Sequence, residues 1–150
     1  MAEVVVAGGV NWDINLFVPR FPKPGEETPI ARISRGAGGK GGNVAVAAAR
    51  ILGPHNVGLI AVLGFDDIAQ AQLLLLDADG VETSGISRCA DAESGQAYIV
   101  TDESGENLIY TYFGANAMLG PEIILNHAAR QMIQSSRIIT IMDPPPETIE

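Results

Sequence analysis

RGAGGKGGNVAVAAARIL, residues 35–52, decides how this chain is read, because it joins a glycine cluster to a run of good helix formers. Residues 43–52 (NVAVAAARIL) are alanine-rich and stopped by Gly53-Pro54, which predicts a helix with a clear terminator. Three chemistries compete for the glycines ahead of it. A Walker-type phosphate loop needs G-x-x-x-x-G-K and then a Ser or Thr hydroxyl for magnesium; Ser34 takes the first glycine position and Gly41 the hydroxyl position, so that reading fails. Gly36, Gly38 and Gly41 match a dinucleotide G-x-G-x-x-G literally, with Asp66 about 25 residues on. In that fold, however, the glycines follow the first strand directly, whereas here a proline-rich excursion intervenes. In the third reading, bare backbone at Gly38-Gly39 and Gly41-Gly42 lets an oxygen-rich ligand approach a helix N-terminus, and Lys40 adds a mobile donor. Spacing alone also allows a simple loop with a solvated lysine.

Working outward, Val4-Val5-Val6-Ala7 before Gly8-Gly9 reads as a short buried strand. Residues 15–35 carry Pro19, Pro22, Pro24 and Pro29 between β-formers, which excludes a helix and predicts a hairpin-like excursion from the main sheet. Residues 57–63 predict a second buried strand, and 67–79 a helix capped by Asp66 or Asp67 and closed by Gly80. Residues 96–101 and 108–113 alternate in polarity on either side of DESGEN and predict a second hairpin. A helix over 122–134 behind Pro121 and a buried strand over 137–142 complete an alternating α/β order. The final DPPPETIE opens like another helix, so the chain is expected to end in mid-architecture.

Composition narrows the function classes. The 150 residues carry 18 Asp plus Glu against 9 Lys plus Arg, a net charge of −9. With Lys23 and Lys40 the only lysines, no clustered positive charge is available for a nucleic-acid backbone. A 47% hydrophobic content suits a folded domain, yet no apolar run approaches the roughly 20 residues that span a bilayer. Cys89, alone, forms neither an internal disulfide nor a CxxC metal knuckle, and the start shows no secretory pattern, so the cytoplasm is the expected location. His55 and His127 have no metal-ligand spacing to Cys89 or to each other.

GGKGGNVAVAAARILG resembles the first signature of the ribokinase-like, phosphofructokinase-B type carbohydrate kinases, whose usual form is a G-G-K-G-x-N run opening an alanine-rich helix. Gly9-Val10-Asn11-Trp12-Asp13 is similar to that family's G-x-N-x-D, and PKPGEE to its P-x-P-G-E lid segment. TDESGEN and Gly114-Ala115-Asn116 look like the lid hairpin and the turn after it, and DPPPET resembles the ribokinase E-x-P-x-E-T. The matches run in family order along the whole chain.

The resemblance implies a three-layer α/β/α sheet, present in part, with a small β lid formed by residues about 15–35 and 96–113. It implies phosphorylation of a sugar or nucleoside hydroxyl by ATP with magnesium, in a cytoplasmic enzyme that pairs with a second copy through the lid. Asn11 and Asp13 would hold hydroxyls, as their chemistry and their two-residue spacing on extended backbone allow. Gly39, Lys40 and Asn43 would meet the sugar from the opposite wall, and Asp143 from a later strand end, where the family usually has a glutamate. Taken alone, Asp13 also reads as a turn residue and Asp143 as a helix N-cap. The aromatics Phe17, Phe21, Tyr98, Tyr110, Tyr112 and Phe113 fall in the lid segments, able to cover a sugar or a partner's lid.

The family's D-T-x-G-A-G-D, which supplies the catalytic base beside the nucleotide site, is absent from this sequence. Residues 1–150 are therefore expected to be the N-terminal, sugar-binding half of a kinase domain, with no catalytic, cofactor or metal residue of their own. Three rivals remain: a stand-alone polyol-binding or oligomerising module, a nucleoside kinase of the same family, and an NAD-binding domain built on the literal glycine pattern.

Overall fold

Short β-branched runs bounded by glycines form the central strands in a computed structural model that describes residues 2–143. β1 (Val4–Gly8) pairs in parallel with β4 (Val57–Gly64) on one side and β9 (Ile138–Met142) on the other. Beyond β4 lie two short parallel strands one after the other along its length, β5 (Val81–Glu82) against its start and β6 (Ile86–Cys89) against its end. Strand alternation sends successive side chains to opposite faces, and the core divides accordingly. Val6, Leu59, Ala61 and Leu63 pack with Ala45 and Ala49 of α1 (Lys40–Leu52) and with Ala69 and Leu76 of α2 (Asp67–Ala78). Val5, Ala7, Ile60 and Val62 pack on the other face with Leu119, and with Ala129 and Met132 of α4 (His127–Ser135). Helices on both faces of a parallel sheet make the three-layer α/β/α arrangement that the resemblance implies.

A second sheet, the β lid, is set off from the first. It runs in the order β3-β2-β7-β8, with β2 (Asn11–Phe17) antiparallel to β3 (Arg32–Gly38) and parallel to β7 (Gln96–Thr101), which pairs antiparallel with β8 (Asn107–Tyr112). Arg32 stacks its guanidinium 3.6 Å from the Phe17 ring centroid, closing the far end of the β2–β3 pair.

Several expectations change. The excursion is longer at its base than residues 15–35, for pairing starts at Asn11↔Gly38. α1 begins at Lys40, three residues earlier than its alanine content suggests, because glycines at its first turn are held by packing. The helix expected over 122–134 is broken into α3 (Pro121–Ile124) and α4. Asn126 causes the break: its Oδ1 accepts from Ala129 N at 2.9 Å, capping α4, and its Nδ2 donates to Ser87 Oγ at 3.1 Å. The sequence predicts a buried β9, yet Ile138, Ile139 and Ile141 are exposed, because among the described residues it pairs only with β1. The helix start expected after Asp143 lies outside the described residues.

The glycines of α1 also fix where the helix sits. A Cβ on Gly41 would meet Gly8 C at 2.6 Å and Gly8 O at 2.8 Å, so helix backbone rests directly on strand backbone. Gly41→Ala is expected to lower the unfolding free energy by about 1–3 kcal/mol through overpacking, although intrinsic propensity favours alanine by roughly 1 kcal/mol. Gly36→Ala, with nothing within 4 Å of the added carbon, should stay near neutral. Urea denaturation of the two variants checks the contrast.

Candidate functional site

A crevice opens where the chain leaves the central sheet for the lid, at the C-terminal ends of β1 and β9, the usual place for a ligand on a parallel sheet. Gly9 lies between the sheets, and its carbonyl accepts from Gly41 N at 2.9 Å and Gly42 N at 3.4 Å. Those amides are therefore engaged by the protein and not left for a ligand. Gly39 has φ +86, and a side chain there would strike Asn11 N at 2.6 Å and Val10 Cα at 2.7 Å. The start of α1 is thus pressed against the start of β2. The resulting cavity holds about 380 Å³.

Asn11, Asp13, Gly39, Lys40, Asn43 and Asp143 all line it. Alternation along β2 turns Asn11 and Asp13 to the same side, leaving Trp12 off the cavity wall. On the neighbouring strand β3 the bare Cα of Gly38, register partner of Asn11, makes room for the Asp13 carboxylate, which any side chain at 38 would overlap. That carboxylate has no hydrogen bond or ion pair among the described residues, and burial raises its pKa above the ordinary 3.8. Lys40 Nζ donates to Asp143 Oδ2 at 2.6 Å, bridging the start of α1 and the end of β9. Asp143 sits at φ +55, an uncommon region for a non-glycine residue. The shorter side chain, where the resembled family has glutamate, still reaches Lys40.

The lid supplies the remaining wall through Ala97, Ile99, Ile109, Thr111 and Phe113, which alternate along β7 and β8 and continue past the end of β8. Of the six lid aromatics, Phe113 alone lines the cavity. Tyr98, Tyr110 and Tyr112 occupy the opposite, exposed face. Sequence reasoning picked out neither the aliphatic lid positions nor Asn116. Asn116 belongs to the Gly114-Ala115-Asn116 motif but had no role there, and its signal is only that a buried asparagine must hydrogen-bond something.

The residues of the dinucleotide reading have other duties. Gly36 and Gly38 lie on antiparallel β3, and Asp66 caps α2. Although desolvation opposes it, Asp66 is held below the ordinary carboxylate range by hydrogen bonds from Ser94 and Ala69 and by the charge of Arg88. No helix among the described residues is long and apolar enough to cross a membrane.

The pfkB family carbohydrate kinase model matches residues 1–146. The chain is 36% identical over its whole length to the bifunctional ribokinase/ribose-5-phosphate isomerase A of Fructilactobacillus sanfranciscensis, covering 28% of that protein. Against the ribokinase of Staphylococcus aureus it is 33% identical, over 95% of this chain and 46% of that one. The solved structure of Arabidopsis thaliana ribokinase complexed with ribose and ATP superposes with a TM-score of 0.81 at 28% identity, over 94% of this chain and 45% of that one. The chain thus spans about half the length, or less, of the relatives it matches.

The state of Asp13 gives a signed pH dependence. Because its folded pKa lies above the unfolded value, the native state binds more protons between 3.8 and the raised value. Stability from this group falls as pH rises through that window and stays reduced above it. Asp13→Asn, which keeps the shape without the charge, should therefore melt higher than the unaltered protein at pH 7, and the gain should shrink as pH falls toward 3.8. Thermal melts across that range measure it.

Proposed function

The chain belongs to the pfkB family of carbohydrate kinases, and from that membership we propose that its residues form the sugar-binding part and lid of an enzyme that phosphorylates a ribose-like or other carbohydrate hydroxyl with ATP. The observation that carries this reading is the Asp13 carboxylate, half-buried, without a partner among the described residues, and lining a cavity of sugar size. An unpaired buried carboxylate is costly unless something arrives to hydrogen-bond it, and a pair of hydroxyls does so with charge-assisted bonds. In this reading Asn11 and Asp13 grip hydroxyls from the lid side, Gly39, Lys40 and Asn43 meet the sugar from α1, and Asp143 from the end of β9. The aliphatic lid positions cover the carbon face of the ring.

Charge supports a neutral acceptor. Lys40 is offset by Asp143, so Asp13 leaves the cavity with an acidic balance that disfavours an already phosphorylated ligand. ATP is bound by the Arabidopsis relative. Among the described residues no group of three or more His, Cys, Asp or Glu is placed to hold a metal. Residues 2–143 therefore offer no carboxylate cluster for magnesium. In this reading the nucleotide site and the base that activates the acceptor lie in the part of the domain that relatives have beyond the matched half. The exposed lid face of Tyr98, Leu108, Tyr110 and Tyr112 would meet the lid of a second copy.

Asp13→Ala in the full-length protein should weaken sugar binding by about 1.5–3 kcal/mol, the range for hydrogen bonds to a charged group. Calorimetric titration with pentoses, hexoses, nucleosides and NAD tests both residue and ligand class. NAD binding without a response to any sugar or nucleoside would overturn the reading.

A further inference from the structure

Asn116 joins parts of the chain more than a hundred residues apart. It lies in a 3-10 turn (Gly114–Met118) after β8 and is buried. Its Oδ1 accepts from Val10 N at 3.0 Å, and its Nδ2 donates both to Val10 O at 2.9 Å and to Asn11 Oδ1 at 2.8 Å. The first two bonds fix which way this amide points, since a backbone N–H can only donate and a backbone carbonyl only accept. The remaining hydrogen on Nδ2 then faces Asn11, so the Asn11 atom that meets it must be the acceptor, Oδ1. Asn11 Nδ2 is left without a hydrogen bond among the described residues, on a side chain that lines the cavity.

We propose that Asn116 is a positioning residue that locks the Asn11 carboxamide with its N–H donors free, so that the cavity offers a donor at Asn11 beside the acceptor at Asp13. This rests on the sugar-binding reading above. Hydroxyls both donate and accept, and a donor next to a carboxylate matches two neighbouring hydroxyls, one accepting at Asn11 and one donating to Asp13. Were Asn11 turned over, two acceptors would stand side by side and the first hydroxyl would have to be turned as well. The lock also lies at the junction of the sheets. Val10 immediately precedes β2, and Asn116 follows the last lid strand, so one amide ties where the lid begins to where it ends.

The test is Asn116→Asp in the full-length protein. A carboxylate at 116 still accepts from Val10 N but cannot donate to Asn11, whose amide should turn over and donate to it. In 15N spectra without ligand, the Asn11 side-chain NH2 should shift and gain protection from solvent exchange, while backbone dispersion is retained. D-ribose affinity should fall about tenfold, the scale of losing one hydrogen bond and leaving its partner unmatched. In an Asn11→Ala background the same change at 116 should cost nothing further, since its effect passes through Asn11. An Asn11 amide that does not move, or losses at 11 and 116 that add, would overturn the positioning role. Failure of the unaltered protein to bind any sugar would instead overturn the functional reading, and the spectra would still decide the lock.

Discussion

Contact of backbone on backbone at the Gly8-Gly9 turn governs the molecule. Gly41 rests on Gly8, Gly39 rests on Val10 and Asn11, and the Gly9 carbonyl takes two amides from the first turn of α1. No side chain separates the end of β1, the start of β2 and the start of α1, so their spacing is set by van der Waals contact of the main chain. Lys40 and Asn43 then face Asn11 and Asp13 across a gap whose width is not adjustable by rotamers. The glycine run that looks like a ligand cradle in the sequence is first a packing device, and the cavity is its consequence.

Asp13 and Asp66 show how environment divides the same side chain between two uses. Asp66 accepts bonds from Ser94 and Ala69, holds the start of α2 and has its charge stabilised. Asp13 receives nothing from the described protein, and desolvation works against its ionised form. A carboxylate of the first kind contributes to folding; one of the second kind opposes it and favours a ligand. The contrast separates an acid that the described protein itself uses from one that it leaves unpaired.

Much of the fold was legible because local signals agreed with tertiary demands. β1, β4 and α2 are bounded by glycines or a capping aspartate in the sequence, and the two hairpins by proline clusters and DESGEN. Misreadings arose where a distant partner decides. Asn126 reads as an ordinary helical residue until Ser87 is beside it, and β5 and β6 are too short to show a period of their own. β9 has the composition of a buried strand, but exposure depends on neighbours and not on isoleucines. At the site, the six residues singled out by motif do line one cavity, whereas Asn116 was hidden because its role is defined by the backbone of Val10, 106 positions away.

On the proposed reading, little in the crevice has to be broken for a hydroxyl to enter. The Lys40–Asp143 pair is over 60% exposed on both sides, and such pairs contribute about 0–1 kcal/mol. An arriving hydroxyl that takes either partner displaces little, while the Asp13 desolvation it relieves and the free Asn11 donors it satisfies are unopposed by any protein contact among the described residues. The rigid parts are the glycine backbone contacts and the Asn116 lock, neither of which a ligand has to break. Under the sugar-binding proposal, pre-set geometry with unpaired polar atoms would let hydroxyl contacts contribute to affinity with little reorganisation of the walls.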